Sequence, residues 1–472
     1  CTPFNMLNFK PDDTIAALST APGTGAIAVI RLSGKSAFTI GDRVFRAKSR
    51  SIKSLQDQPG YSLHFGEFHF DDAVLDEVLV AVFRGPHSYT GEDTLEFSCH
   101  GSPFIQQQLL QALCQQGARL AEPGEYTLRA FLNGKLDLSQ AEAVADLIAS
   151  GSAAAHRVAL QQMRGGFSRK IKDLRAELIH FASLIELELD FSEEDVEFAN
   201  RDQLRELVKR LCSQLDVLIR SFELGNVLRN GIPVVIAGKP NVGKSTLLNT
   251  LLREERAIVS DIAGTTRDTI EEELSLQGIR FRFIDTAGIR DTSDTIERIG
   301  VERTLDKIRQ SPLLLYLFDV TETTAGSLQL ELEALRKLTG SDTFRLLLVG
   351  NKSDGSKPEA LEKEFKHYPE VIFLSAKSGA GLSALEDRLL SAVDTERLQS
   401  GDTIVSNARH ALALQQTEAA LERVLAGLDS GVTHDFIASD LRVALHHLGE
   451  ITGEISTDDL LENIFSKFCI GK

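Results

Sequence analysis

Gly238-Lys239-Pro240-Asn241-Val242-Gly243-Lys244-Ser245 sets two glycines, a lysine and a hydroxyl at the spacing that wraps backbone N–H groups around a pyrophosphate. The apolar run Ile232 to Ala237 precedes it and Thr246-Leu247-Leu248 follows, so strand, loop and helix stand in the order a phosphate cradle requires. Gly243 lets the backbone close on the anion, and the helix start points N–H groups at it. Lys244 reaches the outer phosphates, and Ser245 offers its hydroxyl to magnesium. The GTP-contacting stretch is read as Asn241, Val242, Gly243, Lys244, Ser245 and Thr246.

Three later segments make the nucleotide a guanine one. Asp285-Thr286-Ala287-Gly288 follows the alternating run Ile279 to Ile284, which brings a carboxylate to a strand end where it can hold magnesium through water. Asn351-Lys352-Ser353-Asp354 ends the apolar run Leu346 to Gly350, and its Asp354 can accept two hydrogen bonds from a guanine edge. Ser375-Ala376-Lys377 ends Val371 to Leu374. Four such loops in this order at the carboxyl ends of parallel strands describe a GTP site. Ras-like enzymes place a water-orienting Gln just after the D-x-x-G loop, but here that position is Ile289, so hydrolysis must be arranged differently. Ala263-Gly264-Thr265-Thr266-Arg267-Asp268 supplies a threonine hydroxyl for magnesium. Asn241 has two readings, a carbonyl for a monovalent cation that would stand in for an arginine finger, or a local turn bond.

The elements that must hold these loops fall into four stretches. Residues 1–125 read as a mixed α/β domain, with strands near Thr14–Leu18, Ala26–Leu32, Leu63–Phe70, Glu77–Phe83 and Thr94–Cys99 and a helix near Ile105–Gln115. Gly23-Thr24-Gly25 imitates a dinucleotide fingerprint, but a strand pattern follows it where a helix is needed. Pro123-Gly124 breaks the chain, and helical spacing then occupies 126–229 and returns over 397–472. The Ras-like, parallel-sheet GTPase domain of 230–396 is therefore expected to be inserted into one long-helix domain, giving a multidomain α/β chain. Cys99 and His100 are adjacent on a strand and point to opposite faces, so they are read as structural.

The net charge of −17 opposes holding nucleic acid by counterion release alone, so an RNA substrate needs a local basic patch or a basic partner. Much of the acidity lies in Glu186–Glu197, read as a solvated helix end, with docking of a basic protein as the second reading. The five cysteines lack zinc or disulfide spacing, no run suits a membrane span, and a cytoplasmic location is expected.

Outside the P-loop, Gly85-Pro86-His87-Ser88-Tyr89-Thr90-Gly91-Glu92-Asp93, Pro123-Gly124-Glu125-Tyr126-Thr127-Leu128-Arg129-Ala130-Phe131-Leu132-Asn133-Gly134-Lys135-Leu136-Asp137-Leu138 and the terminal Phe468-Cys469-Ile470-Gly471-Lys472 are segments no generic GTPase needs. With them the chain resembles the MnmE (TrmE) family of tRNA modification GTPases from about Asp13 to Lys472. The resemblance implies a homodimer working with the flavoprotein MnmG (GidA), in a heterotetramer or larger complex using FAD and NADH, on carbon 5 of the wobble uridine of certain tRNAs. The expected group is a carboxymethylaminomethyl-type one, with 5-formyl-tetrahydrofolate or a related folate as one-carbon donor. It implies potassium ligands Asn241, Ser260, Ile262 and Thr265, and magnesium ligands Ser245 and Thr266. Glu297 is implied to position the hydrolytic water, with Arg267, Asp268 and Arg290 as polar switch residues. Folate contacts fall on Arg31, Glu96, Lys135 and Lys472.

From the residues alone, Glu297 reads as a helix-start glutamate favoured by the dipole. Cys469 can be a small buried hydrophobe or a thiol made nucleophilic beside Lys472. Two other classes stay open: an Era- or Der-like ribosome-assembly GTPase, disfavoured by the acidic balance and the lack of a G-x-x-G clamp in a basic setting, and a regulatory switch with no chemistry on RNA.

Overall fold

The computed structural model describes residues 10, 12–71, 73–190, 201–255, 271–285, 313–339, 345–392, 403–430 and 434–472. They form two compact units, one of Cys1–Ile148, Leu160–Ser213 and Ala413–Lys472, the other of Ala149–Ala159 and Gln214–Leu412.

The first unit begins with strands β1 (Ile15–Leu18), β2 (Ile27–Ser33), β3 (Phe45–Ala47), β4 (Ser62–Phe70), β5 (Ala73–Phe83), β6 (Thr94–His100) and β7 (Arg119–Leu120). They lie in the order β3-β4-β5-β6-β2-β1-β7. Period-two alternation decides the faces: Leu95, Phe97 and Cys99 enter a core with Phe68, Val80 and Ile30, while Glu96 and Ser98 between them point away. Helices α1 (Ala37–Val44) and α2 (Pro103–Gln115) add Phe38, Leu109 and Leu113 to that core. The strand Ile27–Ser33 after Gly25 bears out the rejection of a dinucleotide fingerprint. Cys99 is buried and His100 exposed, as the strand period requires.

The helical pattern expected from Tyr126 is divided into α3 (Glu125–Leu132), α4 (Leu138–Ala149), α5 (Ala153–Met163), α6 (Gly166–Asp190) and α7 (Arg201–Asn230). Gly134, at φ 67, ends the first of these turns. The acidic run at the end of α6 is not uniformly solvated. Glu188 is buried and receives the Arg201 guanidinium at 2.9 Å, because a carboxylate on the inner stripe of a packed helix needs a cation brought in with it. The run's remainder from 191 lies outside the described residues.

The second unit is built on β8 (Ile232–Ala237), β9 (Glu271–Leu276), β10 (Ile279–Asp285), β11 (Leu313–Asp319), β12 (Arg345–Asn351) and β13 (Ile372–Phe373), in the order β13-β12-β11-β8-β10-β9. All neighbours are parallel except the β9–β10 hairpin. Helices α8 (Lys244–Glu255), α9 (Ala325–Thr339), α10 (Pro358–Glu364) and α11 (Leu382–Ser391) accompany the sheet. Leu247 and Leu251 pack with Leu385 and Leu389 on one face, Leu328 and Leu361 with Phe318 on the other. Both faces are thus covered, which is why these strands read as continuous apolar runs. Within this unit the Val405 N–H donates to Ser221 Oγ at 3.0 Å, and a Cβ at Gly225 would lie 2.0 Å from the Val405 carbonyl. Helices α12 (Ala408–Ser430), α13 (His434–Thr452) and α14 (Asp458–Phe465) complete the chain.

Candidate functional site

At the carboxyl end of β8 the loop bends through Gly238 (φ 148), Asn241 (φ 63) and Gly243 (φ 99). Asparagine is among the few non-glycine residues that enter the left-handed region readily, so Asn241 suits the turn whatever else it holds. The Lys244 ammonium donates to the carbonyls of Gly238 (2.7 Å) and Lys239 (2.9 Å), so the loop curls around it. Ser245 is exposed at the start of α8, where unpaired N–H groups face outward.

Asn351 joins three of the predicted segments. Its Nδ2 donates to the Val242 carbonyl at 2.7 Å, and its Oδ1 accepts from the Ala376 N–H at 2.9 Å. The side chain is 2% exposed, so both bonds are shielded from water. A Cβ on Gly243 would lie 2.3 Å from that Nδ2, which explains the glycine. Ser375 hydrogen-bonds Asp354 and, with the local backbone and Lys377, holds its carboxyl below the ordinary value against slight burial. An ionised Asp354 is the acceptor a guanine edge needs.

Two residues that the sequence reading did not single out complete this end of the site. Asp319, the last residue of β11, is buried. It accepts from Lys352 Nζ at 2.6 Å and from the Thr321 hydroxyl at 2.6 Å and N–H at 2.9 Å. Burial alone would raise its pKa, but these donors outweigh burial and hold it below the ordinary value, while the Asp319 bond raises that of Lys352. Thr250 on α8 donates to the Ala376 carbonyl at 2.7 Å. The signal for Asp319 was present: the run Leu313 to Phe318 ends in an acid, as β10 ends in Asp285 and β12 in Asn351.

Of the predicted nucleotide residues, Ser260, Ile262, Thr265, Thr266, Arg267, Asp268, Thr286, Ala287, Gly288, Arg290 and Glu297 lie outside the described residues, as does the side chain of Asp285. The backbone of Asp285 pairs with Ile236 beside the P-loop.

In the first unit, Arg31 and Glu96 are register partners on β2 and β6, and the Arg31 Nη2 and Nε meet Glu96 Oε1 at 2.8 and 2.9 Å. The Arg31 guanidinium carbon lies 5.3 and 5.4 Å from the ring centres of Tyr89 and Tyr126, within cation–π range. Its Nη1 is buried with no hydrogen-bond partner. Burial and the Arg31 charge lower the pKa of Lys472, partly offset by Glu96 and Cys469, so the chain terminus joins this cluster. Gly471 makes the approach possible: at φ 93, a Cβ there would lie 2.3 Å from the Leu18 carbonyl. The Gly124 N–H reaches the Cys469 carbonyl at 3.5 Å, seating the Pro123-Gly124 corner on the same tail. Lys135 donates to the Pro86 carbonyl at 2.9 Å, on the loop that carries Tyr89. Cys469 is exposed, which removes the reading of it as a core residue.

Beneath these groups Arg129, 1% exposed, donates to Glu92 and Glu125 at 3.0 Å and to the Asp13 carbonyl at 2.7 Å. Glu125 also receives Arg119 at 2.7 Å. Burial would raise the Glu125 pKa, but Arg119, the Glu122 N–H and Arg129 hold it down. Glu125 and Arg129 thus make this segment a structural corner.

The family model described as "MnmE helical domain" matches residues 138–469, and that described as "GTP-binding protein TrmE N-terminus" matches residues 14–135. The chain is 56% identical over 460 residues to the tRNA modification GTPase MnmE of Cytophaga hutchinsonii, covering 98% of both chains. It is 53% identical over 461 residues to that of Flavobacterium psychrophilum, covering 98% of this chain and 99% of the other. To that of Bacteroides thetaiotaomicron it is 50% identical over 467 residues, with the same coverage.

Proposed function

The chain belongs to the MnmE (TrmE) family, and from that premise we propose that it is a GTPase that acts in tRNA modification. The meeting of Val242, Asn351 and Ala376 through one buried amide is the observation that carries the nucleotide half of this reading. Asp354 and Lys352 recognise the guanine, Lys244 and the N–H groups at the start of α8 bind the phosphates, and Ala376 and Lys377 close over the base.

Ser245 and Thr266 hold magnesium, and Asn241, Ser260, Ile262 and Thr265 hold potassium. Bound there, the two cations supply positive charge to the phosphates where Ras-like enzymes receive an arginine finger. Glu297 positions the attacking water, with Arg267, Asp268 and Arg290 shaping the switch segments around it. The GTPase domain, taken as 230–396, moves the helical segments 126–229 and 397–472 as it turns over.

Folate binding at Arg31, Glu96, Lys135 and Lys472 rests on the unpartnered Arg31 Nη1 beside Lys472, a pair of cations fitted to a carboxylate tail. Tyr89, half-buried, presents an aromatic face to the same place, while the fully buried Tyr126 backs Arg31 from the core. These residues would hold a 5-formyl-tetrahydrofolate-type donor, which would supply the one-carbon unit, and Cys469 is the exposed thiol nearest the chain end. The working assembly is a homodimer with the FAD- and NADH-using MnmG, acting in the cytoplasm on carbon 5 of the wobble uridine.

The test is mass spectrometry of wobble nucleosides in tRNA from cells whose only copy is this chain, compared with Lys244→Ala and a deletion. Modified uridines should appear only with the intact P-loop. The same nucleosides in all three strains, with folded protein present, would overturn the reading.

A further inference from the structure

On α13, His446 Nε2 stands 3.5 Å from Glu450 Oε1, and His447 Nδ1 stands 2.9 Å from Glu450 Oε2. The three ligand atoms lie within 4.8 Å of one another. We propose that His446, His447 and Glu450 bind a divalent transition-metal ion of the zinc class.

Two imidazole nitrogens and a carboxylate oxygen form the donor set that borderline ions such as Zn2+ prefer. Tetrahedral coordination at zinc bond lengths sets ligand atoms about 3.4 Å apart. The 3.5 Å His446–Glu450 spacing already meets this, and His447 Nδ1, now hydrogen-bonded to Glu450, would exchange that bond for the ion within the same 4.8 Å span.

The side chains of His446, His447 and Glu450 are 52%, 20% and 34% exposed. An ion can therefore enter, and water can take the fourth position. The backbone beneath is rigid, because α13 packs along α6. Arg442–Glu186 at 2.8 Å and Arg175–Glu454 at 2.5 Å tie the two helices on either side of the cluster. Ordinary His–Glu pairs at i,i+3 and i,i+4 stabilise a helix by only ~0.2–0.5 kcal/mol. A single such pair would not bring a second ring onto the other oxygen of the same carboxylate.

The test is calorimetric titration of the full chain, free of nucleotide, with Zn2+, and optical titration with Co2+. Parent protein is compared with His446→Ala, whose ring is half exposed, with His447→Ala and with Glu450→Gln, all checked for helicity by circular dichroism. The parent should bind one equivalent more than either alanine variant, its Co2+ spectrum should lack a thiolate band for that equivalent, and Glu450→Gln should weaken it at least about tenfold. Zn2+ should raise the Tm of the parent and not of His446→Ala. Equal stoichiometry and affinity in parent and variants, or a thiolate band for every bound equivalent, would overturn the site.

Discussion

Replacing Asn351 by Ala removes the side chain that bridges Val242 of the P-loop and Ala376 of the guanine loops. The Val242 carbonyl and the Ala376 N–H each lose their bond to a side chain that is 2% exposed. A buried polar group left unpaired costs about 1–3 kcal/mol, so the two together cost about 2–6 kcal/mol. Water entering the vacated amide volume moves the result toward the lower end. If the strain is released only when nucleotide orders the loops, 2 kcal/mol appears as roughly 30-fold weaker GDP binding. If it is borne by the nucleotide-free protein, a unit of this size loses about 2–4 °C in Tm per kcal/mol, or roughly 4–8 °C at that lower end. Fluorescent GDP titration and calorimetric unfolding of the nucleotide-free chain measure both arms. Asn351→Asp keeps the acceptor for Ala376 but sets a carboxylate oxygen against the Val242 carbonyl, and it should be at least as damaging. An Asn351→Ala chain with unchanged GDP affinity and unchanged unfolding would refute the reasoning, since one quantity or the other must register two lost buried bonds.

Gly471→Ala forces a residue into φ 93 and a Cβ to within 2.3 Å of the Leu18 carbonyl. Backbone strain alone costs about 1–3 kcal/mol, so the tail should leave its seat, and folate binding measured by equilibrium dialysis should fall at least about fivefold. Arg129→Met leaves Glu125 with Arg119 and the Glu122 N–H only, and takes the Arg129 donor from the Asp13 carbonyl. Breaking a buried pair in this way costs about 3–5 kcal/mol, read as a lower urea midpoint for the first unit. The pKa of Lys472 is lowered by burial and Arg31 from its ordinary 10.5, so between the two values the unfolded chain binds more protons and stability rises with pH. Below that window the charged lysine opposes folding. Urea midpoints followed upward toward pH 10.5 should show this rise in the parent and lose it in Lys472→Met.

Local chemistry made the GTP site legible in the sequence. The P-loop glycines, Lys244, Asn351, Asp354 and Ala376 belong to short segments whose spacing alone decides which backbone groups meet a phosphate or a base. Strand Leu346 to Gly350 and its neighbours were equally plain, because a sheet covered on both faces leaves unbroken apolar runs. The short helix α1 and the strands β3 and β7 were not legible, since two to eight residues carry too little periodicity to stand out.

Amino-acid sequence by itself thus determined the nucleotide loops, the fold class and the charged residues available in each unit. Tertiary structure decided which of those charges meet: Arg31 with Glu96 through strand register, Lys472 with both through a tail seated at Gly471, Lys352 with Asp319 across two parallel strands. It also set Glu188 inside and Cys469 outside, against the simplest reading of each. The physical reason is range. Turn and helix-start chemistry is complete within a few residues, whereas pairing between groups tens to hundreds of residues apart exists only once the sheet register and the packing of the chain end have brought them together.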